Sequence, residues 1–400
     1  MERKEVICVI GLGYIGLPTA ALLANRGYKV IGVDVIADVV DTINNGDVHI
    51  AEPELDTFVH SAVQSGQLKA QLEVPEADVF MIAVPTPIRE DKNPDISYVM
   101  EATKAIAPHV KEGNLIILES TSPVGTTEEV GGVLKSEGVD IEKLHIAYCP
   151  ERVLPGKTMR ELVENDRIVG GLKAEDSEKV KEFYSTFVQG EILVTNARTA
   201  EMSKLTENAY RDTSIAFANE LSIICDDIGV DVWDLIKLAN HHPRVNILQP
   251  GSGVGGHCIA VDPWFIVSKS GDLATLIKTS RIINDYKPEW VISKIEQEAE
   301  KIAAKGKKAK IACMGLAFKP DIDDLRESPS LQITKALRDR GFDILPVEPN
   351  IKAYKDWNIT DYKTALKEAD IIAYLVAHRE FRSVSESDTQ VVLDFCGIKK

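Results

Sequence analysis

Thirty residues near the N-terminus constrain the fold more than any other stretch. Val6–Ile10 is an apolar run fit for a fully buried strand. Gly11-Leu12-Gly13-Tyr14-Ile15-Gly16 follows without a spacer, then a helical pattern to Gly27, then Lys29–Val33 and Asp34. A lone G-x-G-x-x-G says little. Between a strand and a helix, with an acid roughly twenty residues on, it specifies a βαβ unit that binds a dinucleotide. The glycines let a pyrophosphate reach free N–H groups at the helix N-terminus, with Tyr14 and Ile15 in the same turn. Asp34 is expected to accept hydrogen bonds from the adenosine ribose and to repel a 2′-phosphate. No arginine follows to rescue one, so the expected cofactor is NAD rather than NADP. The uncharged stretch Val6–Ala24 is long enough to suggest a signal peptide or membrane span, but Gly11, Gly13, Gly16 and Pro18 interrupt it. No membrane segment is expected.

Three more apolar runs read as buried strands: Val79–Val84, Leu115–Leu118 and His145–Tyr148. Their tails are Pro85-Thr86-Pro87, Ser120-Thr121-Ser122-Pro123 and Pro150-Glu151-Arg152. In open parallel sheets ligands bind beyond the carboxyl ends of the strands. Pro85, Thr86 and Thr121 therefore join the cofactor set, and Thr121 and Glu151 are candidates for chemistry. The 400 residues allow two or three domains, each with its own core. A net charge of −16 argues against nucleic-acid or anionic-membrane partners, so an anionic ligand needs a local basic cluster. The six cysteines lie far apart without a C-x-x-C pair, and three sit in apolar runs. Neither disulfides nor a zinc site is implied, and the cytoplasm is the expected compartment.

From Arg198 to about Asp226 the chain has no proline or glycine, which predicts a long helix with Lys204 and Asn208 on one face. A lysine there can supply positive charge where an oxyanion develops. His241-His242-Pro243-Arg244 follows the next short helix. Adjacent histidines rarely face one ion and no third ligand has a useful spacing, so no metal is expected. Gly251, Gly253, Gly255 and Gly256 then make a loop whose backbone can approach a ligand closely, and it delivers Cys258 four residues before Asp262. Beyond a lysine-rich connector, Lys301–Lys310, a second α/β unit begins at Ile311-Ala312-Cys313-Met314. Ser328-Pro329 caps its first helix, and Asp343–Val347, Ile371–Val376 and Val391–Phe395 supply strands. It lacks the glycine triplet and is expected to bind a different nucleotide-like ligand, with Lys319 and Arg326 as phosphate contacts. The fold class is α/β: two Rossmann-like, doubly wound domains joined by a long central helix and helical region. The expected boundaries are 1–195, 196–300 and 301–400.

Together these segments resemble the UDP-glucose/GDP-mannose dehydrogenase family over nearly the whole chain. The likeness rests on Gly11–Gly16, Ser120–Thr127, Pro150–Arg152, Lys204 with Asn208, Gly251–Cys258, and Phe318-Lys319-Pro320 running on to Arg326. The cysteine loop (Gly-Val-Gly-Gly-His-Cys-Ile-Ala-Val-Asp-Pro), the stretch 150–156 and Asn165-Asp166-Arg167 are similar to the branch that oxidises UDP-N-acetylmannosamine. UDP-N-acetylglucosamine 6-dehydrogenase is the nearest alternative and a UDP-glucose enzyme a more distant one. The resemblance implies a four-electron oxidation of a sugar C6 hydroxyl to a uronate for surface-polysaccharide precursors, through a Cys258 thiohemiacetal and thioester. It implies oxyanion stabilisation by Lys204 and Asn208, and proton or water handling by Asp262, Thr121 and Glu151. The UDP-sugar is assigned to Glu151, Arg152, Lys204, Asn208, Arg244, Asn246, Gly251, Gly255 and Lys319, with Arg326 on the cofactor. A homodimer is also implied, with Arg244 reaching across the interface. A two-electron β-hydroxyacid-type dehydrogenase is the competing class; it needs neither the cysteine loop nor the second α/β unit.

Overall fold

The computed structural model describes residues 5–256, 258–355 and 357–400. They form two compact units, one running to Thr206 and including Trp264–Lys269, the other Glu207–Pro263 with Ser270–Lys400.

The strands of the first unit are β1 (Val6–Ile10), β2 (Lys29–Val33), β3 (Leu68–Gln71), β4 (Val79–Ile82), β5 (Leu115–Leu118), β6 (His145–Tyr148), β7 (Arg167–Gly171) and β8 (Ile192–Asn196). They make one sheet in the order β3-β2-β1-β4-β5-β6-β7-β8. Its helices are α1 (Gly16–Asn25), α2 (Ala37–Asn44), α3 (Leu55–Gln64), α4 (Ser97–Ile106), α5 (Thr126–Ser136), α6 (Thr158–Glu164) and α7 (Ala174–Tyr184). The continuous apolar run of β1 has a direct cause. Ile7 and Val9 enter one hydrophobic cluster and Cys8 and Ile10 another, so both faces of the strand are covered. α1 is buried from Gly16 to Ala24, which accounts for its small and apolar residues.

Register decides where the site lies in this unit. Ile10 pairs with Val33 and Ile82, Ile82 with Leu118, and Leu118 with Tyr148, all in parallel. The carboxyl ends of five strands are therefore level, and their tails leave along one edge. β3, β7 and β8 escaped the sequence reading. β7 runs antiparallel to β6 and carries two glycines, and β8 is half exposed, so none shows the long apolar run of the inner strands.

The 32-residue α8 (Ala197–Ile228) matches the expected helix and continues into the second unit. α9 (Val232–Ala239), α10 (Asp262–Ser270), α11 (Thr275–Ala303), α12 (Pro329–Asp339) and α13 (Tyr362–Glu368) follow. A parallel sheet, β10-β9-β11-β12, is made by β9 (Lys310–Met314), β10 (Asp343–Val347), β11 (Ile371–Tyr374) and β12 (Val391–Asp394). As expected, the Ser328 hydroxyl caps α12, accepting from Leu331 N at 3.2 Å, with Pro329 in the first turn. α11 departs from expectation. It runs for 29 residues with Pro288 inside it, and takes the start of the lysine-rich connector into its last turns. Buried polar contacts bind α11 to α8: Arg281 Nη1 donates to Asp212 Oδ1 at 2.6 Å, and Asn219 Nδ2 to Asn284 Oδ1 at 2.9 Å. Among the described residues, no helix is long and apolar enough to cross a membrane.

Candidate active site

In the first unit, each glycine of the opening motif is required for a different reason. Gly11 has φ +89°, and a Cβ there would stand 2.6 Å from Ala83 O. At Gly16 a Cβ would lie 1.8 Å from Gly11 O, so this position closes helix against strand. Around Gly13 nothing lies within 4 Å. No packing reason forbids a side chain there, and the open space suits the close backbone approach that a dinucleotide pyrophosphate needs. Asp34 stands at the end of β2 with Oδ2 accepting from Leu12 N at 2.9 Å and Oδ1 from Ile36 N at 3.0 Å. Each oxygen keeps a lone pair for a ribose hydroxyl. These residues fit NAD.

The neighbouring tails are tied together. Thr86 Oγ1 donates to Thr121 O at 2.5 Å, and Ser120 Oγ to Val84 O at 2.7 Å. Glu201 on α8 fixes the far end of this loop, accepting from Gly125 N, Thr127 N and Thr127 Oγ1 at 2.6–2.8 Å. A carboxylate at the N-terminus of α5 also satisfies its orphan donors. Pro85 is exposed and Tyr14 partly so. Glu151, after β6, is buried: Oε1 accepts from Arg152 N at 2.6 Å and Oε2 from Arg167 Nη1 at 2.8 Å. Arg152 is half-buried and donates to Asp166 O.

In the second unit, Asn208 Nδ2 donates to Asp262 Oδ2 at 2.6 Å, and both side chains are buried. This contact orients an amide and a carboxylate from positions distant in sequence. Asp262 opens α10, and its N–H donates to Cys258 O at 2.8 Å. Cys258 is exposed, unlike Cys8, Cys149, Cys225 and Cys313, which are buried. Burial pushes the Cys8, Cys149 and Cys313 thiols up to about 12, so they are inert at neutral pH. Lys204, one turn before Asn208 on α8 but within the first unit, is half-buried and makes no hydrogen bond or ion pair among the described residues. Such a lysine is available to a ligand.

The glycine loop differs in detail from the sequence reading. A Cβ at Gly253 would meet Pro329 at 2.8 Å, and one at Gly255 would meet Glu327 O at 2.6 Å and Phe318 at 2.8 Å. These glycines allow the loop to pack on the 318–329 segment. At Gly251, by contrast, a Cβ would make only an ordinary contact with Gly253 O at 3.9 Å, and the Gly251 N–H donates to Asn219 Oδ1 at 2.9 Å. Arg244, Asn246 and Lys319 are exposed, and Arg326 is paired with Asp324 at 2.6 Å. His257, within the cysteine loop, lies outside the described residues.

The second α/β unit repeats the strand–loop–acid geometry and then closes it. At the end of β10, Glu348 Oε2 accepts from Leu316 N at 2.8 Å, as Asp34 does from Leu12 N. Here the fully buried His378 also meets Glu348 Oε2 at 3.0 Å, and Asn350 N donates to its other oxygen. Burial alone would raise the Glu348 carboxyl, but His378 and the backbone donors hold it below its ordinary value. With no free oxygen, Glu348 cannot serve a ribose as Asp34 can. Sequence reasoning missed Glu201, Glu119 and Glu348 altogether, and met Arg167 only within the Asn165-Asp166-Arg167 likeness. A charged residue directly before a short apolar run was the one available signal for Arg167.

Comparison with known proteins agrees along the whole chain. Residues 5–188 match the NAD binding domain of the UDP-glucose/GDP-mannose dehydrogenase family, 198–286 its central domain and 312–400 its UDP binding domain. A UDP-N-acetyl-D-mannosamine dehydrogenase of Campylobacter jejuni is 55% identical, over 99% of this chain and all of the relative. An NDP-N-acetyl-D-galactosaminuronic acid dehydrogenase of Ralstonia nicotianae is 52% identical, over 98% and 96%. Among solved structures, the UDP-D-ManNAc dehydrogenase of Pyrococcus horikoshii superposes with TM-score 0.90 at 37% identity, covering 99% of this chain and 96% of its own.

Proposed function

This chain belongs to the UDP-glucose/GDP-mannose dehydrogenase family, and from that premise we propose that it oxidises the C6 hydroxyl of UDP-N-acetylmannosamine to the uronate, with two NAD+ consumed per sugar. The observation that carries the reaction class is the exposed Cys258 thiol four residues before Asp262, whose carboxylate accepts from Asn208 of α8. The substrate rests on the full-length likeness to UDP-N-acetyl-D-mannosamine dehydrogenases. NAD+, when bound, accepts the hydride at each oxidation. The Cys258 thiolate adds to the C6 aldehyde, and loss of a second hydride from the thiohemiacetal leaves a thioester that water hydrolyses. A free thiol ionises near pH 8.5, so Cys258 needs cationic surroundings to react at neutral pH; the Lys204 ammonium and the N-terminal end of α10 are of the right sign. Lys204 and the Asn208 amide donate to the developing oxyanion. Asp262 orients Asn208 and takes a proton, while Glu151 and Thr121 position the water. The UDP moiety falls to Arg152, Asn246, Gly251, Gly255 and Lys319, with Arg326 on the cofactor. The free thiol that this chemistry needs suits a reducing compartment, which favours the cytoplasm.

A second substrate reading has its own support, because a relative named for N-acetylgalactosaminuronate stands at 52% identity. One assay separates them. Two NADH per UDP-N-acetylmannosamine, with the galactosamine and glucosamine isomers much poorer, is expected. One NADH with free aldehyde overturns the reaction class; two NADH with another isomer preferred overturns only the substrate. The same assay with NADP tests Asp34, and equal kcat/KM for the two cofactors sinks its role.

The active form is a homodimer. Tyr210, Phe217, Ile224 and Ile228 on α8 are all exposed, and their spacing of seven, seven and four puts them in one stripe. An unpaired apolar stripe of this kind buries well against its own copy about a two-fold axis. Arg244, exposed in its own chain, then reaches the neighbour's substrate. Mixing Arg244→Ala with Cys258→Ala protein should restore up to about a quarter of wild-type activity, since random pairing leaves one intact site in the hybrid dimer. No recovery after verified subunit exchange counts against a shared site.

A further inference from the structure

Behind Glu151 lies a charged cluster that none of the assigned roles uses. Arg167, the first residue of β7, is 2% exposed, one of the largest side chains so completely buried. Its Nη1 donates to Glu151 Oε2 at 2.8 Å, its Nη2 to Leu162 O at 3.2 Å, and its guanidinium lies 5.3 Å from the Tyr184 ring centroid. On the far side Tyr184 Oη donates to Glu119 Oε1 at 2.6 Å. Glu119 ends the strand that feeds the Ser120–Thr127 loop, so the cluster joins two of the tails that line the cofactor edge. All of these groups belong to the first unit.

We propose that Arg167 is a positioning residue for the reaction, holding the Glu151 carboxyl group in one rotamer at the end of β6. The proposal rests on the reading of Glu151 as a water-positioning group. A buried carboxylate without a partner would take up a proton, and burial alone would also let it change rotamer. Arg167 is that partner for Glu151, and its planar fork is itself fixed by Leu162 O and the Tyr184 face. Each Glu151 oxygen then carries one hydrogen bond, and the lone pairs left over can meet water or substrate.

One cation facing two carboxyls would be a poor clamp, and the second carboxyl is disposed of. Glu119 Oε2 is buried with no hydrogen-bond partner, an arrangement that disfavours its charged form. Burial pushes the Glu119 carboxyl up to about 7, with Glu151 adding to the rise while Arg167 and the Tyr184 hydrogen bond oppose it. The groups facing Glu119 are thus Arg167, Glu151, Tyr184 and the Cys149 thiol, itself raised by burial. A Glu119 carboxyl that disfavours its charge competes little for the guanidinium, which is left to Glu151. A carboxyl raised in the folded state weakens the fold as pH climbs from its unfolded value toward 7, and Glu119→Gln removes that slope.

The test compares kcat–pH profiles of the full-length enzyme and Arg167→Lys, Arg167→Met, Glu119→Gln and Glu151→Gln variants. Arg167→Met is expected to lower kcat about 30-fold or more and to move the acid limb upward by one pH unit or more, with Arg167→Lys recovering part of both. Glu119→Gln is expected to keep the wild-type kcat profile while losing the fall in thermal stability between about pH 4.5 and 7. A slow Glu151→Gln beside Arg167 variants with an unmoved acid limb overturns the positioning role and leaves Glu151 standing. A fully active Glu151→Gln overturns the reading on which it rests. Should both Arg167 variants fail to fold, Glu119→Gln decides: loss of activity on this near-isosteric change shows that Arg167 is shared with a charged Glu119, which overturns the proposal.

Discussion

Cys258→Ala is expected to abolish uronate formation, with kcat for the second oxidation falling about 10⁴-fold or more. The change removes one sulfur from an exposed loop and costs the fold little. Its consequence is chemical. Without a thioester, the second hydride must come from a hydrated aldehyde that no nucleophile holds in place. Affinity for NAD should stay within about twofold, because the glycine cradle and Asp34 are built inside the first unit from contacts that never involve the loop. Steady-state NADH formation with quantified uronate, beside a direct NAD titration, checks both halves. Turnover within tenfold of wild type would be incompatible with covalent catalysis. Cys258→Ser should fall between, since an alkoxide forms far less readily than a thiolate.

Asp212→Ala should destabilise the second unit by about 3–5 kcal/mol, the largest effect on folding of any single change discussed. Asp212 and Arg281 are both buried and pair at 2.6 Å, and Asn284 Nδ2 donates to the same carboxylate oxygen at 2.8 Å. Burial pushes the Asp212 carboxyl up while Arg281 pulls it back, so the pair exists only as a pair. Removing the acid strands a guanidinium away from water, with only Asp285 left to it. The damage reaches the glycine loop, because Asn284 holds Asn219 and Asn219 accepts from Gly251 N. The KM for the sugar nucleotide should therefore rise even where the variant stays folded. Urea unfolding followed separately in each unit gives the measurement. A loss below about 1 kcal/mol would mean that desolvation already cancels the pair's attraction in the native protein.

The sequence alone settled those features whose cause is local. A strand buried on both faces must be apolar throughout, and β1 shows this; a tight turn under a helix needs glycine, and Gly11 and Gly16 show why. Gly13 was legible from the motif spacing, and the structure leaves nothing within 4 Å of it. The long α8 and the Ser328 cap followed from propensity and from one hydroxyl three residues before a backbone donor. Tertiary structure decided what depends on partners far along the chain. The Arg167–Glu151 and Arg281–Asp212 pairs join residues 16 and 69 apart, and a charged side chain carries no mark of the charge it will meet. α11 continues through Pro288, against the local rule, because buried hydrogen bonds of Asn284 and Lys287 before the proline and the buried Val291, Ile292 and Ile295 after it hold the helix in place. The difference between Asp34 and Glu348 is of the same kind. Both are acids at the end of a strand beside the first, and only the packing of His378 against one of them decides which can still receive a ligand. Burial turns a polar group's neighbours into its chemistry, and neighbours are a property of the fold.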